Sequence, residues 1–182
     1  MKGCSSARGS LARPMARLAA LATMVLGALA PPLASAQNGP CDAPEFRQFD
    51  FWLGTWTVRG REGRVTGTSQ IERTHGGCVL HERYTTDRGY SGESLNLYDA
   101  SRRVWHQSWV DSGGLLLVLE GGLRDGQMVL EGRATQKGGK VVRHRISWSP
   151  QADGGLRQLW EQTNDSGDWV IAFDGRYTRK AP

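Results

Sequence analysis

The cadence of its turn signals most constrains what this chain can fold into. From Arg59 onward, short clusters rich in Gly, Asp and Ser recur with nine to thirteen residues between them: Arg59-Gly-Arg-Glu-Gly63, His75-Gly-Gly77, Asp87-Arg-Gly89, Asp99-Ala-Ser101, Ser112-Gly-Gly114, Arg124-Asp-Gly126, Lys137-Gly-Gly139, Asp153-Gly-Gly155 and Asp165-Ser-Gly167. Each supplies a residue that tolerates the positive φ of a tight hairpin. Between them hydrophobicity alternates with a period of two. Nine turns therefore separate ten strands, expected near 54–59, 65–74, 78–86, 92–98, 103–110, 115–120, 127–134, 141–149, 156–163 and 169–179. Sequential strands joined by tight turns make an up-and-down antiparallel meander, and a meander this long closes into a β-barrel to remove its exposed edges. A two-sheet sandwich is the runner-up, but it needs longer crossovers.

The first 36 residues read as a segment to be removed. Lys2, Arg8, Arg13 and Arg17, with no acidic residue among them, precede the apolar run Leu18 to Ala30 and then Ala34-Ser35-Ala36. That is the charged, apolar and A-x-A order of a signal peptide cleaved after Ala36. Translation could start at Met1 or at Met15, since either leaves a complete signal. The 13 apolar residues fall short of the roughly 20 needed to span a bilayer. Cys41 follows Gln37-Asn38-Gly39-Pro40, which is no lipid-attachment signal. The expected location is the periplasm or the exterior, with residues 37–182 forming one barrel domain and no membrane span. Without the signal, 19 basic residues face 18 acidic ones, so the basic pI of the whole chain gives no argument for nucleic acid.

At the head of the domain, Asp42-Ala-Pro-Glu45 has the form of a helix start. Phe46, Phe49 and Leu53 then share a helical face, so a short helix is expected to plug one end of the barrel. Cys41 and Cys78 are an even pair in an oxidising compartment and read as a disulfide tying that plug to the third strand. Two cysteines alone are too few for a metal site.

Alternation also sorts each strand into faces. Trp105, Gln107, Trp109 and Asp111 share one face of the fifth strand; Leu80, Glu82 and Tyr84 share one on the third; Ser94, Asn96 and Tyr98 on the fourth; Leu156, Gln158, Trp160 and Gln162 on the ninth. These faces mix large aromatics with amides and a carboxylate. A solid core would be more aliphatic, because each buried polar group needs a partner. Aromatics with a few polar groups suit a small-molecule cavity. The candidate ligand-binding residues are Glu82, Tyr84, Asn96, Trp105, Gln107, Trp109 and Trp160, with Glu82 as a polar anchor. The alternative is that the same aromatics fill the interior.

Other chemistries have weaker signals. His75, His81, His106 and His144 lack helical metal-ligand spacing, so a haem or metal barrel needs convergence through folding. Glu82 or Asp111 could serve as acid or base in a barrel-housed isomerase, cyclase or hydrolase. Gly89-Tyr-Ser-Gly92 is a turn and not a nucleophile elbow, and there is no P-loop or dinucleotide fingerprint. No cofactor is called for.

Five strings carry a resemblance: Phe49-Asp-Phe-Trp-Leu-Gly-Thr-Trp56, Gly77-Cys-Val-Leu80, Ser94-Leu-Asn96 with Tyr98-Asp99, Trp105-His-Gln-Ser-Trp-Val-Asp111, and Phe173-Asp-Gly-Arg-Tyr177. Together they resemble a family of secreted bacterial proteins built on a domain of unknown function, over essentially all of residues 37–182. That family is similar to the calycin group of lipocalin-like and nitrobindin-like barrels. The resemblance implies that Gly54 and Trp56 open the first strand and that an arginine of the last strand, Arg179 or Arg176, packs over the tryptophan. It also implies a small hydrophobic or amphiphilic ligand and brings no catalytic residues. No histidine matches a nitrobindin-type haem ligand by motif.

Overall fold

The computed structural model describes residues 39–136 and 138–180. The expected signal peptide lies outside the described residues. The rest is all-β. Ten antiparallel strands run β1 Gly54–Arg59, β2 Val65–Thr74, β3 Val79–Thr85, β4 Ser91–Asp99, β5 Val104–Asp111, β6 Leu116–Arg124, β7 Gln127–Thr135, β8 Val141–Pro150, β9 Leu156–Thr163 and β10 Trp169–Arg179. Each pairs with its sequence neighbour, and β1 pairs with β10 from Trp56↔Arg179 to Arg59↔Arg176, which closes the barrel.

One hairpin geometry recurs at all five turns of one end. In each, the first N–H of a five-residue turn bonds the last carbonyl, as Gly60 to Arg64 and Thr86 to Tyr90 do at 3.0 and 2.9 Å. The fourth residue is a glycine at positive φ in each of these turns: Gly63, Gly89, Gly114, Gly139 and Gly167. The chain's Gly spacing thus encodes the turn type directly. One strand departs from expectation. β6 continues to Arg124 instead of stopping before Gly121-Gly122. A Cβ on Gly121 would lie 2.1 Å from the Val129 carbonyl oxygen, so the glycine permits a tight corner with β7 and does not end the strand.

The opposite end is plugged, though not by an α-helix. Pro44–Arg47 and Asp50–Trp52 are two 3-10 turns, and Asp42 does not cap the first; Ala43 stands at that position without a side-chain cap. The buried residues are Phe46, Phe49 and Trp52, spaced by three as a 3-10 helix requires, rather than Phe46, Phe49 and Leu53. Phe49 stacks on Trp52 with centroids 4.8 Å apart and meets Trp105 and Trp148 edge-on at 5.7 and 5.2 Å. Trp56 Nε1 donates to the Trp52 carbonyl at 2.8 Å, which joins plug to wall. An Asp50–Arg73 ion pair holds the plug against β2.

The Gly54–Trp56 motif has a physical reason. Gly54 sits at φ 125°, and a Cβ there would come within 2.7 Å of the Arg179 guanidinium. Arg179 lies 4.3 Å over the Trp56 ring and donates to the Leu53 carbonyl at 3.0 Å. Arg176 instead points outward to Asp153.

Cys41 and Cys78 are disulfide-bonded, with Cα atoms 5.1 Å apart, and close a span of 37 residues. Loop-closure entropy for such a span is on the order of 4 kcal/mol. The Cys41→Ala/Cys78→Ala double variant is expected to melt roughly 10 °C below the parent in a thermal scan. An unchanged melting temperature would show that the plug is held without it.

Candidate ligand cavity

The plug fills only half of the lumen. Toward the other end lies a cavity of about 650 Å³, lined by β2, β3, β5, β6, β8, β9 and β10 and open between the turns 60–64 and 86–90. That volume is in the range of small-molecule sites, roughly 300–1,000 Å³. Its walls carry Tyr84, Trp109, Trp160 and Phe173; Glu82, Gln107, Gln158 and Tyr177 add polar groups; Leu117 and Ile146 are aliphatic.

Space for this cavity comes from glycines in the strands. A Cβ on Gly67 would sit 2.7 Å from the Tyr84 ring, one on Gly92 would sit 2.2 Å from the Trp109 ring, and one on Gly175 would sit 2.5 Å from the Phe173 ring. Each aromatic lies back against a glycine on the wall, so its ring lines the lumen instead of crossing it. Phe173 reaches the interior through a bulge between Ile171 and Phe173 that switches the strand's alternation, leaving Ile171 opposite Glu161 and Phe173 opposite Trp160.

At the floor, a hydrogen-bonded chain crosses four strands. Gln107 Nε2 donates to Asn96 Oδ1 at 2.7 Å; Asn96 Nδ2 donates to Ser94 Oγ at 2.9 Å and to the Leu80 carbonyl at 3.1 Å. Ser94 Oγ then donates to Glu82 Oε2 at 3.0 Å, and Ser69 Oγ donates to Oε1 at 2.8 Å. The Leu80 carbonyl can only accept, which fixes the orientation of the Asn96 amide and hence of Gln107. Every donor runs toward the carboxylate. Even so, burial dominates and pushes Glu82 up to about 7, against the hydrogen bonds from Ser69 and Ser94.

Most wall donors are already used. Trp160 Nε1 donates to His144 Nδ1 at 3.0 Å, Trp109 Nε1 to Asp111 Oδ2 at 3.0 Å, and the Tyr177 hydroxyl to Gln158 Oε1. Nδ1 of His144 thus accepts, which places the proton of the neutral ring on Nε2, and burial lowers its pKa. Asp111 also accepts from Tyr90 and from the amides of Gly113 and Leu115. Burial alone would raise its carboxyl, but these bonds and that from Trp109 bring it below the ordinary value. With its lone pairs filled, Asp111 braces the rim and is poorly placed to move a proton.

Of the seven ligand residues expected from sequence, Glu82, Tyr84, Gln107, Trp109 and Trp160 line the cavity. Asn96 and Trp105 face inward but do not line it. Asn96 is buried in the floor network, and Trp105 belongs to the plug, donating to Gln48 Oε1 at 3.1 Å. His81 and His106 face outward toward Glu93 and Glu120, so only His144 of the three strand histidines is inside. Among the described residues no three His, Cys, Asp or Glu side chains are grouped to hold a metal. Phe173 was not foreseen; its signal, a glycine two residues on, is legible only once the bulge is known. No protein-family model and no curated protein matches the chain.

The raised Glu82 pKa has a stability consequence. Below the unfolded value near 4.5 both states are protonated and its contribution is complete; as pH rises to about 7 the unfolded state loses the proton first, so stability falls. The full change corresponds to about 3 kcal/mol. Urea unfolding at several pH values is expected to show Glu82→Gln gaining stability relative to the parent as pH rises through this window. Parallel pH profiles for the two proteins would contradict the burial assigned to Glu82.

Proposed function

We propose that this protein is a periplasmic or secreted barrel that binds a small amphiphilic molecule in the cavity, apolar part against the aromatic wall and polar group toward Glu82. The observation that carries the reading is the division of the lumen: one half packed with aromatics, the other lined by aromatics held back on glycines. A protein selected only for stability would fill that volume, since close packing stabilises a core and voids cost. The resemblance to calycin barrels points the same way at the level of fold. Export is supported by the charged and apolar pattern of the first 36 residues and by the disulfide. Among the described residues no helix is long and apolar enough to cross a membrane.

Glu82 also favours a second reading, a barrel-housed enzyme, because a carboxyl near 7 can give and take protons at neutral pH. That reading lacks a partner group, since Asp111 is committed to the rim.

Tryptophan fluorescence reads the site directly. Titration with a panel of amphiphiles is expected to shift the emission, and Trp109→Ala or Phe173→Ala is expected to weaken each hit roughly tenfold. Trp105→Phe, which alters the plug and leaves the cavity wall intact, should bind as the parent does. Equal affinity in the parent and the wall variants would place binding elsewhere.

A further inference from the structure

The floor and walls offer acceptors and few donors. Glu82 keeps lone pairs beyond the two that Ser69 and Ser94 fill, and Gln107 Oε1 has no hydrogen-bond partner among the described residues. The indole N–H groups of Trp109 and Trp160 and the Tyr177 hydroxyl are spent on protein acceptors. What the lining has left to donate is uncharged: one amide hydrogen of Gln107, those of Gln158 and the Tyr84 hydroxyl, since Thr66 Oγ1 already donates to the Val58 carbonyl at 3.2 Å. The basic residues lining the cavity are Arg64 and Arg88, both exposed at the mouth, and Arg64 already pairs with Glu62. Once Glu82 is ionised, a ligand carboxylate or phosphate driven to the floor would therefore meet a like charge with no cation to offset it. A cationic head would meet an acceptor-rich floor and a wall of aromatic rings that favour positive charge.

Resting on the reading of the cavity as a small-molecule site, we propose that its ligand is a basic amphiphile, an alkyl or arylalkyl amine held head-first as the ammonium on the Glu82 carboxylate. Its apolar body lies among Tyr84, Trp109, Trp160 and Phe173. The polarised chain from Gln107 through Asn96 and Ser94 supports the carboxylate when the ammonium is present. Binding then carries a proton signature. Glu82, up at about 7 when free, must be ionised to hold an ammonium, so at neutral pH part of the protein releases a proton on binding. The titratable groups around it do not interfere. Tyr84 on the same strand, Tyr177 on β10 and Tyr90 at the mouth are all raised by burial first, and burial lowers the pKa of His144. Amine affinity accordingly rises with pH through the Glu82 transition and falls again once the amine itself loses its proton.

The test compares decylamine, decanol and decanoate, which share one apolar chain, by calorimetry on the full barrel at about pH 8 and about pH 5.5, either side of Glu82's titration near 7. Decylamine is expected to bind at least roughly tenfold tighter than either of the others at the higher pH, a difference typical of one charge-assisted contact. At the lower pH this preference should shrink, and Glu82→Gln should abolish it without weakening decanol. In the parent, heats measured near pH 7 in buffers of different ionisation enthalpy should reveal proton release, a readout that does not depend on the variant folding. At the higher pH, decanol or decanoate binding as tightly as decylamine, or amine binding near pH 7 without proton release, would overturn the amine assignment while leaving the cavity reading in place. Failure of all three probes to bind would overturn both.

Discussion

The number of strands governs the rest of this structure. An eight-stranded barrel has a bore that side chains can just fill or that holds one small ligand. With ten strands closed through β1 and β10, the bore is wider, and side chains from the wall alone cannot fill it. The chain resolves this differently at its two ends. At one, a segment from outside the sheet supplies Phe49 and Trp52, which pack with Trp105 and Trp148 into a dense aromatic layer, and Phe46, which meets Tyr98 edge-on. At the other no described residue from outside the sheet is inserted, and a cavity remains. The disulfide, the Asp50–Arg73 pair and the Trp56–Arg179 stack all act at the plugged end. These ties lie away from the cavity, whose rim is braced instead through Asp111.

The cavity's character follows from two local devices. Glycines at Gly67, Gly92 and Gly175 let rings lie along the wall, which makes the lining aromatic without making the lumen full. The polar chain from Gln107 to Glu82 satisfies buried amides and hydroxyls through one another and aims their donors at a single carboxylate. An unpaired buried carboxylate is costly, and the chain offsets only part of that cost. The remainder is visible as a carboxyl that titrates far above its ordinary range. A group kept in that condition at the floor of an open cavity is poised to respond to whatever enters.

Most of the architecture was legible in the sequence because the signals are local. Turn glycines mark the hairpins, and alternation marks which residues face in. Depth along the barrel is not local. Asn96 and Gln107 have the same parity on paired strands, yet one lies beneath the floor and the other lines it, because shear and the plug decide where filled lumen ends. Trp105 looks identical to Trp109 by pattern and ends in the plug, drawn there by Phe49. The bulge in β10 hid Phe173 by switching parity within a strand. The plug sequence fits α-helical spacing through Phe46, Phe49 and Leu53, but it also carries three-residue spacing through Phe46, Phe49 and Trp52, which matches the 3-10 turns it forms. Strand glycines carry a further clue. Gly67, Gly92 and Gly175 sit inside strands, where a missing side chain signals that something lies over it.

Native mass spectrometry of the protein purified from its own host addresses the cavity most directly. A folded barrel carrying a small molecule should run heavier than the polypeptide by a discrete mass, and that mass should leave when the barrel is unfolded. Protein that runs at its bare mass, and stays bare after incubation with excess amphiphiles of every charge, would mean that the open half of the barrel is not a binding site.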